Sequence, residues 1–209
     1  MRILFCSLSD RPEFSGPIYD KLKEYCSYHN YKCVIEDKVL DDSRAPPWSK
    51  ILLLQREMKN NEDYDYIIWI DDDILITDKN KKFEEFIEKY SSAHDIFVSE
   101  DALKSYPMNT GIIVCKNKNE TLKYLEHIWE LCEKYPHSKN GGLWEQDVMT
   151  RDYETNKYVR IIPYRTIQSF YRTQNKDWSP TDFSAHFTGM PIETRIKMRD
   201  EVIERIKNL

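Results

Sequence analysis

Asp71, Asp72 and Asp73 stand side by side between two apolar runs, Tyr66–Ile70 and Ile74–Ile76. Three adjacent carboxylates between buried segments repel one another, and a divalent cation relieves that repulsion. Alternation along an extended chain puts Asp71 and Asp73 on one side and Asp72 on the other. Oxygen ligands of this kind suit a hard ion, Mg²⁺ or Mn²⁺, which keeps positions open for water and phosphate. The competing reading is a solvated acidic turn, and the apolar flanks on both sides argue against it. Mutual repulsion also implies that losing Asp73 costs the fold little.

A second polar cluster, Glu145-Gln146-Asp147, is set between Leu143-Trp144 and Val148-Met149. It reads either as a site or as a helix start whose carboxylates favour the dipole. His186 lies between Ala185 and Phe187, with Gly189 close behind, where backbone can approach a phosphate. It reads as a ligand or as a core histidine. The other four histidines fall on helix surfaces or in loops. Lys50 and Arg56 are phosphate contacts or plain surface cations. Gly111, at the mouth of an apolar run, permits close approach of backbone or ligand. No Walker loop, G-x-G-x-x-G, H-E-x-x-H or G-x-S-x-G is present, and a nucleophilic triad has no support.

The elements that must carry these residues alternate. Ile3–Ser7 reads as a strand, about Gly16 to Asn30 as an amphipathic helix, and Tyr31–Ile35 as a strand. That order makes a βαβ unit and a parallel sheet. Trp48 to about Asn60 follows as a helix, then the central strand Tyr66–Ile70, which ends in the carboxylates. Lys81–Tyr90 reads as a helix, and Asp95–Ser99 and Ile112–Cys115 as strands. Asn119 caps a helix running to Lys134, which accounts for the sequon Asn119-Glu120-Thr121 better than glycosylation does. Pro136–Gly142 is a loop, Val159–Ile162 and Ile167–Tyr171 are strands, and a last helix spans about Ile192 to Lys207. Without repeats or linkers, residues 1–209 read as a single α/β domain.

Composition narrows the function. A net charge of −5 argues against a nucleic-acid binder driven by phosphate neutralisation. No apolar run reaches the roughly 18–20 residues of a membrane span. Arg2–Cys6 is too short for a signal peptide, so a soluble, cytoplasmic protein is expected. The five scattered cysteines suit reduced, buried thiols better than a disulfide framework or zinc site.

Taken in order, Trp48-Ser49-Lys50, the D-x-D strand Tyr66–Asp73, Asn109-Thr110-Gly111, Glu145-Gln146-Asp147 and His186-Phe187-Thr188-Gly189 resemble the GT-A fold nucleotide-sugar glycosyltransferases. The closest pattern is the galactomannan galactosyltransferase and xyloglucan xylosyltransferase family; the glycogenin and lipopolysaccharide galactosyltransferase family matches less fully. The resemblance implies a Rossmann-like, mixed but mostly parallel sheet flanked by helices. It divides the chain at about residue 100 into a nucleotide-sugar-binding half and an acceptor-binding half. That family is usually anchored by an N-terminal membrane helix, whereas this chain starts at its first strand, which points to a soluble viral or bacterial relative.

The resemblance also implies roles. Asp71, Asp73 and His186 would hold Mn²⁺ (or Mg²⁺). Ser7, Leu8, Ser9, Arg11, Lys50, Asp72 and Gly189 would bind the nucleotide of a UDP-sugar. Asn109, Thr110, Gly111, Glu145 and Trp178 would line the sugar and acceptor pocket. Gln146 and Asp147 would act on the sugar during transfer of a hexose or pentose to a glycan acceptor, with retention of configuration. Trp178 and Tyr171 offer aromatic faces for an acceptor sugar, or are core. A D-x-D phosphatase of the aspartyl-phosphate class is the first rival, although its motif usually sits on the first strand. A non-catalytic nucleotide-sugar-binding module is the second, and a nucleotidyltransferase, lacking a Gly-rich loop here, the weakest.

Overall fold

The computed structural model describes residues 1–91, 93–103 and 106–207. Six strands form the main sheet: β1 (Ile3–Leu8), β2 (Lys32–Glu36), β3 (Tyr66–Ile70), β5 (Ile96–Ser99), β6 (Asn109–Lys116) and β7 (Val159–Ile162), in the order β2-β1-β3-β6-β5-β7. Pairing is parallel for β1 with β2 and β3, and for β5 with β7. β6 runs antiparallel to both of its neighbours, β3 and β5. The sheet is therefore mixed and mostly parallel.

Strand alternation sorts the core into two. Ile3, Phe5, Ile68, Ile70, Ile112 and Val114 face one layer, where α1 (Pro12–His29) and α3 (Phe83–Tyr90) pack with α7 (Ile192–Lys207). Leu4, Cys6, Ile67, Trp69, Ile113 and Cys115 face the other, against α2 (Ser49–Asn60), α4 (Asn119–Leu131) and α6 (Trp144–Thr155). Burial on both faces is what a continuous Ile/Val run on a central strand requires. All five cysteines are free; four are buried and Cys33 is half-buried.

A second sheet completes the molecule. β4 (Ile74–Ile76) pairs antiparallel with β9 (Ser184–His186), and β9 pairs parallel with β8 (Ser169–Phe170). Register sets Ile74 opposite His186. The strand expected over Ile167–Tyr171 is confined to Ser169–Phe170.

Some local expectations change. α1 starts at Pro12, where the ring suits the first helical turn. Asn119 is the first residue of α4 and makes no side-chain cap. The expected loop 136–142 contains α5 (His137–Asn140). The three aspartates lie in a turn, closed by the Ile74 N–H donating to the Asp71 carbonyl at 3.2 Å.

Candidate active site

The carboxyl ends of β1 and β3, the start of β6, the start of α6 and the segment after β9 converge on one cavity of about 620 Å³. β6 takes part through its beginning because it runs against its neighbours. Crevices outside the carboxyl ends of strands are where open α/β sheets bind ligands.

The turn separates the carboxylates as alternation would. Asp71 Oδ1 accepts from Trp69 Nε1 at 2.5 Å and lies 2.9 Å from Lys50 Nζ. Asp72 turns toward the loop after β1. It accepts from Ser9 Oγ at 2.5 Å and takes both oxygens to Arg11 Nη2, at 2.7 and 2.8 Å. Burial and neighbouring Asp73 push the Asp72 carboxyl up, against the pull of Arg11 and Ser9.

Asp73 is almost fully buried, with His186 Nε2 3.1 Å from Oδ1 and Arg195 Nη1 3.0 Å from Oδ2. Burial alone would raise this carboxyl, but His186 and Arg195 hold it well below the usual range. Repulsion within the run therefore does not govern Asp73. Its loss would take the carboxylate away from buried His186 and half-buried Arg195, contrary to the expectation that removal costs little.

Asp71, Asp73 and His186 each offer one ligand atom, all within 4.8 Å of one another. Two carboxylates and an imidazole suit Mn²⁺ or Mg²⁺ by donor type. His186 Nδ1 is buried and, among the described residues, without a hydrogen-bond partner. The residues present thus fit a divalent ion. β4–β9 pairing delivers the histidine across more than a hundred residues of sequence.

Lys50 is buried, and its ammonium is taken up by Asp71 Oδ1 (2.9 Å), Glu145 Oε1 (2.7 Å) and the Thr110 carbonyl (3.0 Å). It ties α2, β3, β6 and α6 together at the cavity wall. Gln146 Oε1 accepts from the Thr110 N–H at 3.1 Å, and Thr110 Oγ1 donates to Glu145 Oε1 at 2.9 Å. Burial pushes the Glu145 carboxyl up while Lys50 pulls it down.

Gly111 lies against the histidine. A Cβ there would meet His186 Cε1 and Ile74 Cδ1 at 2.8 Å and Gln168 Oε1 at 2.9 Å. Gly111→Ala must push several buried groups apart, so a stability loss of about 1–3 kcal/mol is expected. Thermal melting checks this, and an unchanged Tm would refute the close packing.

Other residues singled out in the sequence divide clearly. Leu8, Ser9, Arg11, Asn109, Thr110, Gly111 and Gly189 line the cavity. Ser7 does not: it is buried, donating to the Ile70 carbonyl at 2.6 Å. Asp147 also lies off the cavity, accepting from Ser138 Oγ at 2.5 Å and paired with His137 and Arg151. Two helical steps of about 100° from Glu145 turn it to the opposite flank of α6. Trp178 is core, its ring edge-on to Tyr171 and its Nε1 donating to Thr77 Oγ1 at 3.0 Å. Tyr171 is buried too.

Among the cavity residues that sequence reasoning missed, three stand out. Arg195 and Arg172 stand at irregular places with no motif around them. Among the described residues Arg172 has no carboxylate partner, whereas Arg11 and Arg195 each have one and Lys50 has two. Trp144 lines the cavity at φ +49, a conformation costly for a bulky side chain and characteristic of functional sites.

Comparison with known proteins places this arrangement. Residues 7–103 match the galactosyl transferase GMA12/MNN10 family. An alpha-1,2-galactosyltransferase of Schizosaccharomyces pombe is 30% identical over 96 residues, covering 44% of this chain and 26% of that protein. The chain thus spans about a quarter of that relative's length. Among solved structures, a glycosyltransferase involved in the glycosylation of the major capsid of PBCV-1 superposes with a TM-score of 0.76 at 18% identity, over 100% of both chains. Galactosyltransferase LgtC, solved with donor and acceptor sugar analogs, gives 0.59 at 10% identity, over 100% of this chain and 96% of that one. The chain therefore has the GT-A fold, and its residues 7–103 are similar to the galactosyl transferase GMA12/MNN10 family.

Proposed function

We propose that the chain is a metal-dependent glycosyltransferase that moves a hexose or pentose from a UDP-sugar to a carbohydrate acceptor, with retention of configuration. The observation that carries this reading is the Asp71–Asp73–His186 group at the cavity, within a GT-A fold. Mn²⁺, or Mg²⁺, held there would act as a Lewis acid toward the diphosphate leaving group.

The chain's own residues supply the rest. The loop Leu8–Arg11, fixed by Asp72, would receive the uracil and ribose. Arg172, beside Gly189, is the cavity cation left for the diphosphate. Asn109, Thr110, Gly111, Glu145 and Gln146 would line the sugar. As the anomeric C–O bond breaks, its electrons would leave on the diphosphate, and the acceptor hydroxyl would close from the same face and pass its proton to the departing diphosphate oxygen. Gln146 would stabilise the positive charge developing on the sugar. Asp147, on the far flank of α6, has no part in this scheme, and Ser7 supports β3 rather than the nucleotide. The first hundred residues would provide the nucleotide side and the remainder the acceptor side, with His186 reaching back to the donor.

The deciding experiment incubates the protein with UDP-, GDP- and dTDP-sugars, with Mn²⁺ and with EDTA, and measures released nucleotide. UDP release that requires the metal is expected; equal release in EDTA would remove the metal from the scheme. A companion measurement concerns Gln146. Gln146→Ala should lower kcat by about 10²–10³-fold, the loss typical of a polar group aimed at the transition state, with UDP and Mn²⁺ affinity near wild type. A variant with normal kcat would leave Gln146 as a support for Thr110 only.

Among the described residues no helix is long and apolar enough to cross a membrane.

A further inference from the structure

Four large apolar side chains are exposed among the described residues: Met1, Tyr28, Leu103 and Tyr106. Met1 is the first residue, and Tyr28 packs beside His29 with Lys79 over its ring. Leu103 and Tyr106 line the cavity instead, at 42% and 39% exposure. Among the described residues the Tyr106 ring meets no other ring or cation, and its hydroxyl has no partner. A single exposed leucine needs no explanation, but two exposed apolar groups side by side on a ligand cavity do.

Both are held in place by the backbone. Asp101, itself buried, accepts the Leu103 N–H on Oδ1 at 2.7 Å and Asn109 Nδ2 on Oδ2 at 2.9 Å. The Tyr106 N–H donates to the Leu103 carbonyl at 3.0 Å. Pro107 follows, and a proline denies the residue before it the helical region. Met108 is then fully buried.

Sheet order decides what the pair can meet. The Leu8–Arg11 loop follows β1, on one side of the turn after β3. Leu103 and Tyr106 follow β5, on the other side and two strands from β3, about 10 Å away. With the nucleoside on the first side and the Asp71–Asp73–His186 group between, the second side is left for the acceptor. The cavity wall between carries Thr110 and Gln146, both buried, where the transferred sugar would lie. The acceptor unit that reacts must reach that depth. Leu103 and Tyr106, at the exposed rim, meet the unit beyond it.

We infer that Leu103 and Tyr106 form a platform for the second sugar of an oligosaccharide acceptor, next to the unit that receives the transferred sugar. A pyranose carries C–H groups on its faces and hydroxyls around its edge. The C–H face suits the negative face of the phenol ring and the leucine methyls, while the edge hydroxyls stay in water. The pair supplies the apolar surface first expected at Trp178 and Tyr171, which are core. The inference rests on the reading that the acceptor is a carbohydrate.

The test follows UDP release with Mn²⁺ and the UDP-sugar that reacts fastest, on adding methyl glucoside, methyl mannoside or the matching trisaccharides. Wild type, Tyr106→Ala, Tyr106→Phe and Leu103→Ala are compared; surface substitutions of this kind seldom disturb a fold. For wild type, the KM for a trisaccharide should lie about tenfold below that for its monosaccharide. Tyr106→Ala should abolish this advantage and leave the monosaccharide KM within about twofold, and Leu103→Ala should reduce it by about threefold. Tyr106→Phe, which keeps the ring, should retain it. Equal KM for both lengths in wild type overturns the inference. So does an equal rise for both lengths in Tyr106→Ala, which marks a general defect, or a parallel rise in donor KM, which places the pair on the donor. Stimulation by an unglycosylated Ser/Thr peptide and by none of the sugars overturns the carbohydrate occupant. UDP release that no sugar stimulates defeats the inference alone, whereas a wild type that releases no UDP under any condition defeats the transferase reading as well.

Discussion

Lys50→Met should destabilise the protein by about 3–5 kcal/mol, the range for removing one partner of a buried charge cluster. The side chain is only 4% exposed, and its three donors are consumed by Asp71, Glu145 and the Thr110 carbonyl. Methionine fills the space and leaves two carboxylates facing each other without a cation. Glu145, whose carboxyl burial already pushes up, would then hold its proton to higher pH. A carboxyl whose folded pKa lies above its unfolded value destabilises as pH rises. The deficit of the variant should therefore be large at neutral pH and shrink toward pH about 5. Adding Glu145→Gln should recover much of it. Denaturant titrations at both pH values decide the matter; a loss under about 1 kcal/mol would mean that Lys50 is a solvated cation after all.

Asp73→Asn carries the largest expected effect on turnover. It alters one of the three candidate ligand groups and breaks the pairing with His186 and Arg195. Metal-dependent sugar transfer should fall by about a thousandfold, roughly 4 kcal/mol of barrier. Stability should fall too, by about 3 kcal/mol at neutral pH. The wild-type carboxyl is held below its ordinary range, so its contribution is present above the unfolded value near about 3.9 and is lost as pH falls through the folded value. Acid unfolding should be flatter in the variant than in wild type. Turnover within about tenfold of wild type would exclude Asp73 as a metal ligand.

The fold was legible where pattern is local. The apolar run Tyr66–Ile70 is a strand buried on both faces, and the spacing of Ile18, Leu22, Tyr25 and Cys26 marks α1. The grouping of Asp71 and Asp73 on one side was legible because three charges between apolar runs need an explanation. What escaped depended on direction or distance. The cluster Glu145-Gln146-Asp147 is contiguous in sequence, but helical rotation sends Asp147 to Ser138 and leaves Glu145 and Gln146 at the cavity. Lys50 could be placed near the site but not in its role, since its partners come from three separate elements. Arg172 and Arg195 carry no signal at all in one dimension. Each matters only because β8, β9 and α7 fold back on the turn after β3.

That folding back also orders events during synthesis. All six strands of the main sheet are present once residue 162 has been made. The small sheet is different: β4 is made early, yet its partner β9 arrives more than a hundred residues later. Closing so long a loop adds entropy cost and delays the contact. A nascent chain therefore carries Asp71 and Asp73 without His186 until more than a hundred further residues have been made. A pair of carboxylates without the imidazole is a weak trap for ions. The late strand thus acts as an assembly checkpoint, since the Asp71–Asp73–His186 group is complete only in molecules whose main sheet can already form.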